Sequence, residues 1–303
     1  MTILLECVPN ISEGRDAAKV AAIAKAFCSA GGTLLDTSSD PDHHRSVITF
    51  AGTPEQVVAG AVAGTRAALE RIDLTQHRGE HPRMGATDVI PFIPLGSATM
   101  ADAVRAAEQA AERIARELSV PAFLYGEAAR APERRDLAWV RKGEFEGLRE
   151  AVPTDPARIP DFGPRRLHPT AGASAVGARF FLVAFNVNLA TRDLDVAKRI
   201  AKAIREKDGG LPGVKALGFD LPALREVQVS MNLVDYRKTS PTQAYDAIVA
   251  LAAQAGVQVA GSELVGLIPQ AAAPEGFAQH VRLRGFDPGQ VIEVRLARQR
   301  AQA

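Results

Sequence analysis

The stretch S-V-I-T-F-A-G-T-P-E-Q-V-V, Ser46 to Val58, sets the frame for the whole chain. Its first part, Ser46 to Phe50, is apolar and β-branched enough to form a strand. T-P-E-Q at Thr53 to Gln56 then supplies a hydroxyl cap, a proline at the first helical position and a glutamine that can reach back to the cap. A strand that runs straight into a capped helix ending near Ile72 is therefore expected.

Working outward, Ile3 to Val8 and Thr33 to Leu35 read as strands before it, and Val89 to Ile93 as one after it. Between the first two lies a helix capped by Asp16, with Val20, Ile23, Ala24 and Phe27 on one face at 3.6 periodicity. The order is β-α-β-β-α-β. An extra helix at about Met100 to Leu118 and an extra strand at Ala122 to Tyr125 follow.

The second half repeats the pattern. Phe180 to Phe185 reads as a strand, Asp193 caps a helix carrying Ala197, Ile200, Ala201 and Ile204, and strands follow at Val214 to Phe219 and Glu226 to Leu233. S-P-T-Q at Ser240 to Gln243 is a second capping box, leading a helix to about Ala255 and a strand at Val257 to Ala260. An echo of I-A-K-A at Ile23 and at Ile200, each a fixed distance after an Arg-Asp pair, fits duplication. The fold class expected is α/β (α+β): two ferredoxin-like split β-α-β subdomains, residues 1–177 and 178–303, with a ligand cleft between them. Glu150 to Gly177, dense in proline, glycine and charge without periodicity, is expected to be a long ordered loop at the boundary.

Composition narrows the partners. With 303 residues, 47% hydrophobic and 23% charged, the chain can bury a substantial core, and a formal net charge of +1 argues against nucleic acid or an anionic membrane. Two cysteines, Cys7 and Cys28, leave neither a disulfide framework nor a cysteine metal site and favour a reducing compartment. No basic leader and no apolar run of membrane length are read, so a cytoplasmic enzyme acting on small molecules is expected.

Chemistry concentrates in H-R-G-E-H-P-R-M-G-A-T-D, His77 to Asp88, between a helix and a strand. His77, Glu80 and His81 spell the inverted zinc-protease motif, but Gly79 and Pro82 oppose the helical geometry that motif requires. An imidazole at His81, with Glu80 or Asp88 near by, suits general acid-base work near neutrality, against the blander alternative of a loop histidine that only holds a turn. Arg83 could hold a substrate carboxylate through a bidentate pair. The second cluster, D-P-D-H-H-R at Asp40 to Arg45, reads first as a polar turn. Its D-H-H triplet resembles a phosphoesterase signature without the carboxylates a two-metal site needs. The third, D-F-G-P-R-R-L-H-P-T-A-G at Asp161 to Gly172, lacks the companions of a kinase metal loop. It reads either as a solvated linker or as a ligand-wrapping loop with Arg165 and Arg166 available for carboxylates.

Over nearly its whole length the chain resembles the glutamate formimidoyltransferase family. The resemblance rests on L-E-C-V-P-N-I-S-E-G near the start, the His77 segment continuing to V-I-P-F-I-P, Y-G-E-A-A-R at Tyr125 to Arg130, D-F-G-P, G-A-R at Gly177 to Arg179 with F-N-V-N-L, and G-S-E-L-V-G-L-I-P at Gly261 to Pro269. It implies a homodimer, tetrahydrofolate as co-substrate, N-formimidoyl-L-glutamate as donor, no metal, and His81 as the active-site proton donor. It also implies folate contacts from the loop made of Gly163, Pro164, Arg165, Arg166, Leu167, His168, Pro169, Thr170, Ala171 and Gly172. Asn10, Arg83 and Asp88 are candidate polar groups for ligand or imidazole orientation. N-formylglutamate is an alternative donor; a zinc hydrolase and a non-catalytic folate-binding module are the other classes considered. Where some relatives carry an acidic residue soon after the L-L-D strand, this chain has Ser38, with Asp40 as a near neighbour.

Overall fold

The computed structural model describes residues 3–300, and the chain divides into two compact units, Met1–Arg179 and Phe180–Ala303. In the first, β1 (Leu4–Cys7) and β2 (Asn10–Ile11) are two pieces of one line of chain interrupted at Pro9, which has no N–H to donate. Then come α1 (Ala17–Phe27), β3 (Thr33–Asp40), β4 (Arg45–Gly52), α2 (Pro54–Leu69), β5 (Thr87–Leu95), α3 (Met100–Leu118) and β6 (Ala122–Gly126). The two short helices α4 (Leu137–Arg141) and α5 (Glu144–Thr154) precede β7 (Ser174–Ala178).

The caps act as the sequence implies. Asp16 Oδ1 accepts from the N–H groups of Ala18 and Lys19, both at 3.0 Å, and Thr53 and Gln56 complete the reciprocal box at the start of α2. Each such cap is worth about 1 kcal/mol. Helix α1 buries the four residues its periodicity singled out, Val20, Ile23, Ala24 and Phe27, against a core that includes Ile48 and Phe50 of β4.

The sheet runs β3-β4-(β1, β2)-β5-β7-β6. Its first part is antiparallel and has the ferredoxin-like order; β7 and β6 extend it in parallel with β5. One extra strand was expected, and two are present. The segment Glu150 to Gly177, expected as loop throughout, in fact contains the end of α5 and most of β7. S-A-V-G-A carries mostly small side chains, so it shows no alternation; its strand character comes from sitting buried between β5 and β6.

The second unit holds β8 (Val183–Leu189), α6 (Leu194–Ile204), β9 (Val214–Leu221), β10 (Glu226–Leu233), α7 (Pro241–Gln254) and β11 (Val259–Val265), in the antiparallel order β11-β8-β10-β9. Strands β8 and β11 begin later than the sequence suggested. Their register is set by alternation: Val183, Phe185, Val187 and Leu189 are buried with Val227, Val229 and Met231. The opposite side of β8 and β10 carries amides instead. Asn188 accepts from Gln228 at 2.9 Å and donates to Glu226 and Glu263, while Arg284 grips Glu226 at 2.8 and 2.9 Å. Helices α8 (Phe277–His280) and α9 (Ile292–Arg300) follow.

Candidate active site

The β3–β4 hairpin tip is formed by its own side chains. Asp40 Oδ1 accepts from the N–H groups of Asp42 and His43 at 2.9 Å each, and Asp40 Oδ2 lies 2.7 Å from His43 Nδ1. His44 takes a left-handed φ of 51°, which turns the chain so that Arg45 opens β4. Against this tip lies the non-helical segment 77–83. A Cβ on Gly79 would sit 2.5 Å from the His43 carbonyl oxygen, so only glycine permits the approach that lets Glu80 N–H donate to Asp42 O at 3.3 Å.

His77 is the fastener. It is 5% exposed, its Nε2–H donates to the His44 carbonyl at 3.0 Å, and its ring stacks on that of His44 at 4.4 Å and 17°. Its Nδ1 accepts from Arg83 Nε at 3.3 Å. Burial pushes the imidazoles of both His77 and His44 below their ordinary range. His44 Nδ1 accepts from the Gly14 N–H at 3.1 Å and faces Glu13 at 3.4 Å. The two histidines of the H-x-x-E-H spelling thus point to different tasks.

His81 stands in a small cavity lined by Ile11, Ser12, His43, His44, Arg45, His77, Arg83 and Asp88. Its Nδ1 lies 2.6 Å from the Pro82 carbonyl, which can only accept, so the proton is assigned to Nδ1. Nε2 then carries the lone pair, and Arg45 Nη1 lies against both ring nitrogens, 2.7 Å from Nδ1 and closer still to Nε2, to which it can donate. Burial first, and the Arg45 charge second, push the imidazole down to about 4, so His81 is neutral across the physiological range. It starts as a proton acceptor.

Arg45 is the residue the sequence did not single out. Its Nε donates to Asn10 Oδ1 at 3.0 Å and its Nη2 to the same oxygen, while Asn10 Nδ2 donates to the Val8 carbonyl at 2.8 Å. Both of its hydrogen-bonding partners, Asn10 and His81, are neutral. Burial lowers its guanidinium to about 10, an unusual position for an arginine. Near by, Asp88 is 2% exposed; its Oδ1 accepts from Met84 N–H at 2.8 Å and its Oδ2 lies 2.8 Å from Arg141 Nη2. That pair is close without being aligned, and Arg141 Nε and Nη2 are buried without a hydrogen-bond acceptor. Two half-buried guanidiniums therefore depend on one carboxylate, Arg141 beside it and Arg45 under its field. Further along, burial raises Tyr125 to about 12, and Cys7 is also pushed well up.

Arg83, by contrast, is committed. Its Nη1 and Nη2 each lie 2.7 Å from Glu146 and Nη1 also meets Glu144 at 3.3 Å, while Phe145 N–H donates to the Arg83 carbonyl. The bidentate geometry expected for a ligand is spent on the start of α5.

The loop from Gly163 to Gly172 is stitched to the His81 segment through its far end. His168 and Gly172 exchange backbone hydrogen bonds at 2.9 and 3.1 Å, Gly172 bridges Gly85, and the Ala86 N–H donates to Ala171 O at 2.9 Å. Gly172 needs its φ of 68°, and a Cβ there would meet Met84 O at 2.1 Å. His168 Nδ1 accepts from Ala171 N–H at 3.1 Å, Thr170 O accepts from Leu74 N–H, and Leu167 and Ala171 are buried. Gly163, Arg165, Arg166 and Pro169 are exposed, Pro164 is half-buried, and Arg165 Nε reaches Val152 O at 3.2 Å.

Residues 4–179 match the family described as the formiminotransferase domain, N-terminal subdomain, and residues 184–288 match the formiminotransferase domain. The chain is 48% identical over 293 residues to a glutamate formimidoyltransferase of Thermoplasma acidophilum, spanning 96% of both chains. It is 46% identical to one of Streptococcus pyogenes over 95% of this chain and 96% of that one. To the formimidoyltransferase-cyclodeaminase of Sus scrofa it is 45% identical, over 89% of this chain and 51% of the longer relative.

Proposed function

We propose that this chain, which belongs to the formiminotransferase family, moves the formimidoyl group of N-formimidoyl-L-glutamate to N5 of tetrahydrofolate with His81 as its acid-base residue. The observation that carries the reading is the His81 imidazole set with its Nδ1 against the Pro82 carbonyl and Arg45 Nη1 against both ring nitrogens, where burial and the Arg45 charge lower it to about 4.

The chemistry needs no protein nucleophile. The N5 amine attacks the formimidoyl carbon and forms a tetrahedral intermediate; Nε2 of His81 takes the proton that N5 must lose. The same imidazolium then gives that proton to the glutamate nitrogen as its bond to carbon breaks, so one group serves both transfers. A base depressed by burial and a neighbouring charge becomes a strong acid once protonated, which suits the second half of the exchange.

The folate is assigned to the loop Gly163 to Gly172, the enzyme to the reducing cytoplasm, and its working state to a homodimer. The support is the sequence resemblance and, for the loop, its backbone attachment at Gly85 and Ala86 beside the histidine segment. Incubating the purified chain with tetrahydrofolate and either N-formimidoyl- or N-formylglutamate tests the reading. Glutamate release should be seen with the formimidoyl donor and should require folate. Release without folate would make the protein a hydrolase, and faster release from the formyl donor would replace the substrate.

A further inference from the structure

Arg45 poses an electrostatic problem that the free protein leaves unsolved. A buried guanidinium normally meets a carboxylate, because the cost of taking the charge out of water is otherwise uncompensated. Here its hydrogen bonds go to an amide oxygen and to a neutral imidazole. The carboxylate with the largest effect on it, Asp88, is engaged by Arg141 and by the Met84 N–H. Among the described residues, the buried Nε and Nη2 of Arg141 find no aligned hydrogen-bond acceptor, although Nη2 lies 2.8 Å from Asp88. The charged groups with the largest effect on His81 come from this set: Arg45 on β4, Arg141 on α4 and Asp88 on β5, with the His43 ring edge-on at 6.1 Å. Within it, two positive charges face one negative charge.

Arg45 lies against both nitrogens of the His81 ring, and Nε2, the atom that must take the proton, is the one it approaches more closely. As long as that bond stands, the lone pair is occupied.

We propose that Arg45 is the donor-recognition residue of this enzyme: it binds a carboxylate of the formimidoyl donor and, by turning to it, uncovers the His81 lone pair for proton transfer. This rests on the function proposed above and deepens it. The donor's carboxylate supplies the missing charge, replaces an imidazole acceptor with an anionic one, and forms the stronger bond. Binding and activation of the base are then one event. A donor without carboxylates would find the base still covered, so it would lose turnover as well as affinity.

The test compares the parent enzyme with Arg45→Met and Arg45→Lys, using N-formimidoylglutamate and N-formimidoylpropylamine, a donor with the same reacting group and no carboxylate. The parent should prefer the glutamate donor by at least about a hundredfold in kcat/KM, with part of the loss in kcat. In Arg45→Met that preference should shrink to within about tenfold. The acid limb of its kcat/KM profile should move up toward the ordinary histidine range of about 6.5, whereas Arg45→Lys keeps the low limb. Arg45→Met should melt no lower than the parent, since it removes a charge whose hydrogen-bonding partners are both neutral. Equal losses on both donors, or an unmoved acid limb, would overturn the assignment. Glutamate, the departing product, serves as a binding probe that does not depend on turnover. Glutamate affinity lowered at least about tenfold in Arg45→Met would support the assignment even if no transfer were detected, and unchanged affinity would overturn it.

Discussion

Arg45 and Arg83 line the same cavity and differ in what they hold. Arg83 meets two glutamates, three of its contacts being with carboxylate oxygens, and its backbone carbonyl anchors α5. Arg45 meets an amide and an imidazole. The same contrast separates the two histidines of the segment: His77 has both ring nitrogens bonded within the scaffold, while the basic nitrogen of His81 is covered only by Arg45. Charge neutralised inside the protein marks structure. Charge left without a counter-ion marks the place prepared for a ligand.

The largest effect expected from breaking this contrast is at His81. Replacement by alanine should lower turnover by about 10² to 10⁴ and leave folate affinity near that of the parent, as loss of acid-base catalysis does. His77→Ala removes two hydrogen bonds and a stacked ring from a buried position; it should cost about 1–3 kcal/mol in denaturant unfolding while lowering turnover by less than about tenfold. Turnover falling equally in both variants would erase the division between fastener and catalyst.

Arg83→Met is the matched control for Arg45→Met. Its glutamate partners are substantially exposed, so the ion pairs are screened and the loss should be about 1 kcal/mol of stability, with donor preference intact. A collapse of donor preference here would move the carboxylate site to Arg83. The smallest effect belongs to the exposed pair Arg165 and Arg166. If they meet the tail of a polyglutamylated folate, each contributes on the order of 1 kcal/mol or less, weakening with salt. Equal dissociation constants for mono- and triglutamyl folate at low salt would leave them as solvated charges.

Much of the fold was legible because its signals are local. Capping boxes at Thr53 and Ser240 and the apolar stripes of α1 and α6 act within a few residues of themselves, and the structure has them where they were read. β7 was not legible, since five small residues show no period and become a strand only by pairing on both sides. The site divides in the same way. The His77 to Asp88 cluster stood out by density, and the turn at Asp40 was read as a turn. That Arg83 would be taken by Glu144 and Glu146, more than sixty positions away, is a tertiary fact. So is the missing counter-ion of Arg45, for a sequence shows which charges exist and not which ones meet.

Before any donor arrives, the His81 base is neutral and singly oriented. Nitrogen-15 resonances of its ring, followed from pH 8 downward in the free enzyme and assigned against His81→Ala, read out both properties. Because burial and Arg45 both disfavour the charged form, the ring should show a protonated Nδ1 and a bare Nε2 at neutrality and should take up its second proton only as the pH falls toward about 4. A ring that titrates near the ordinary histidine value, or one that carries its neutral proton on Nε2, would contradict the account.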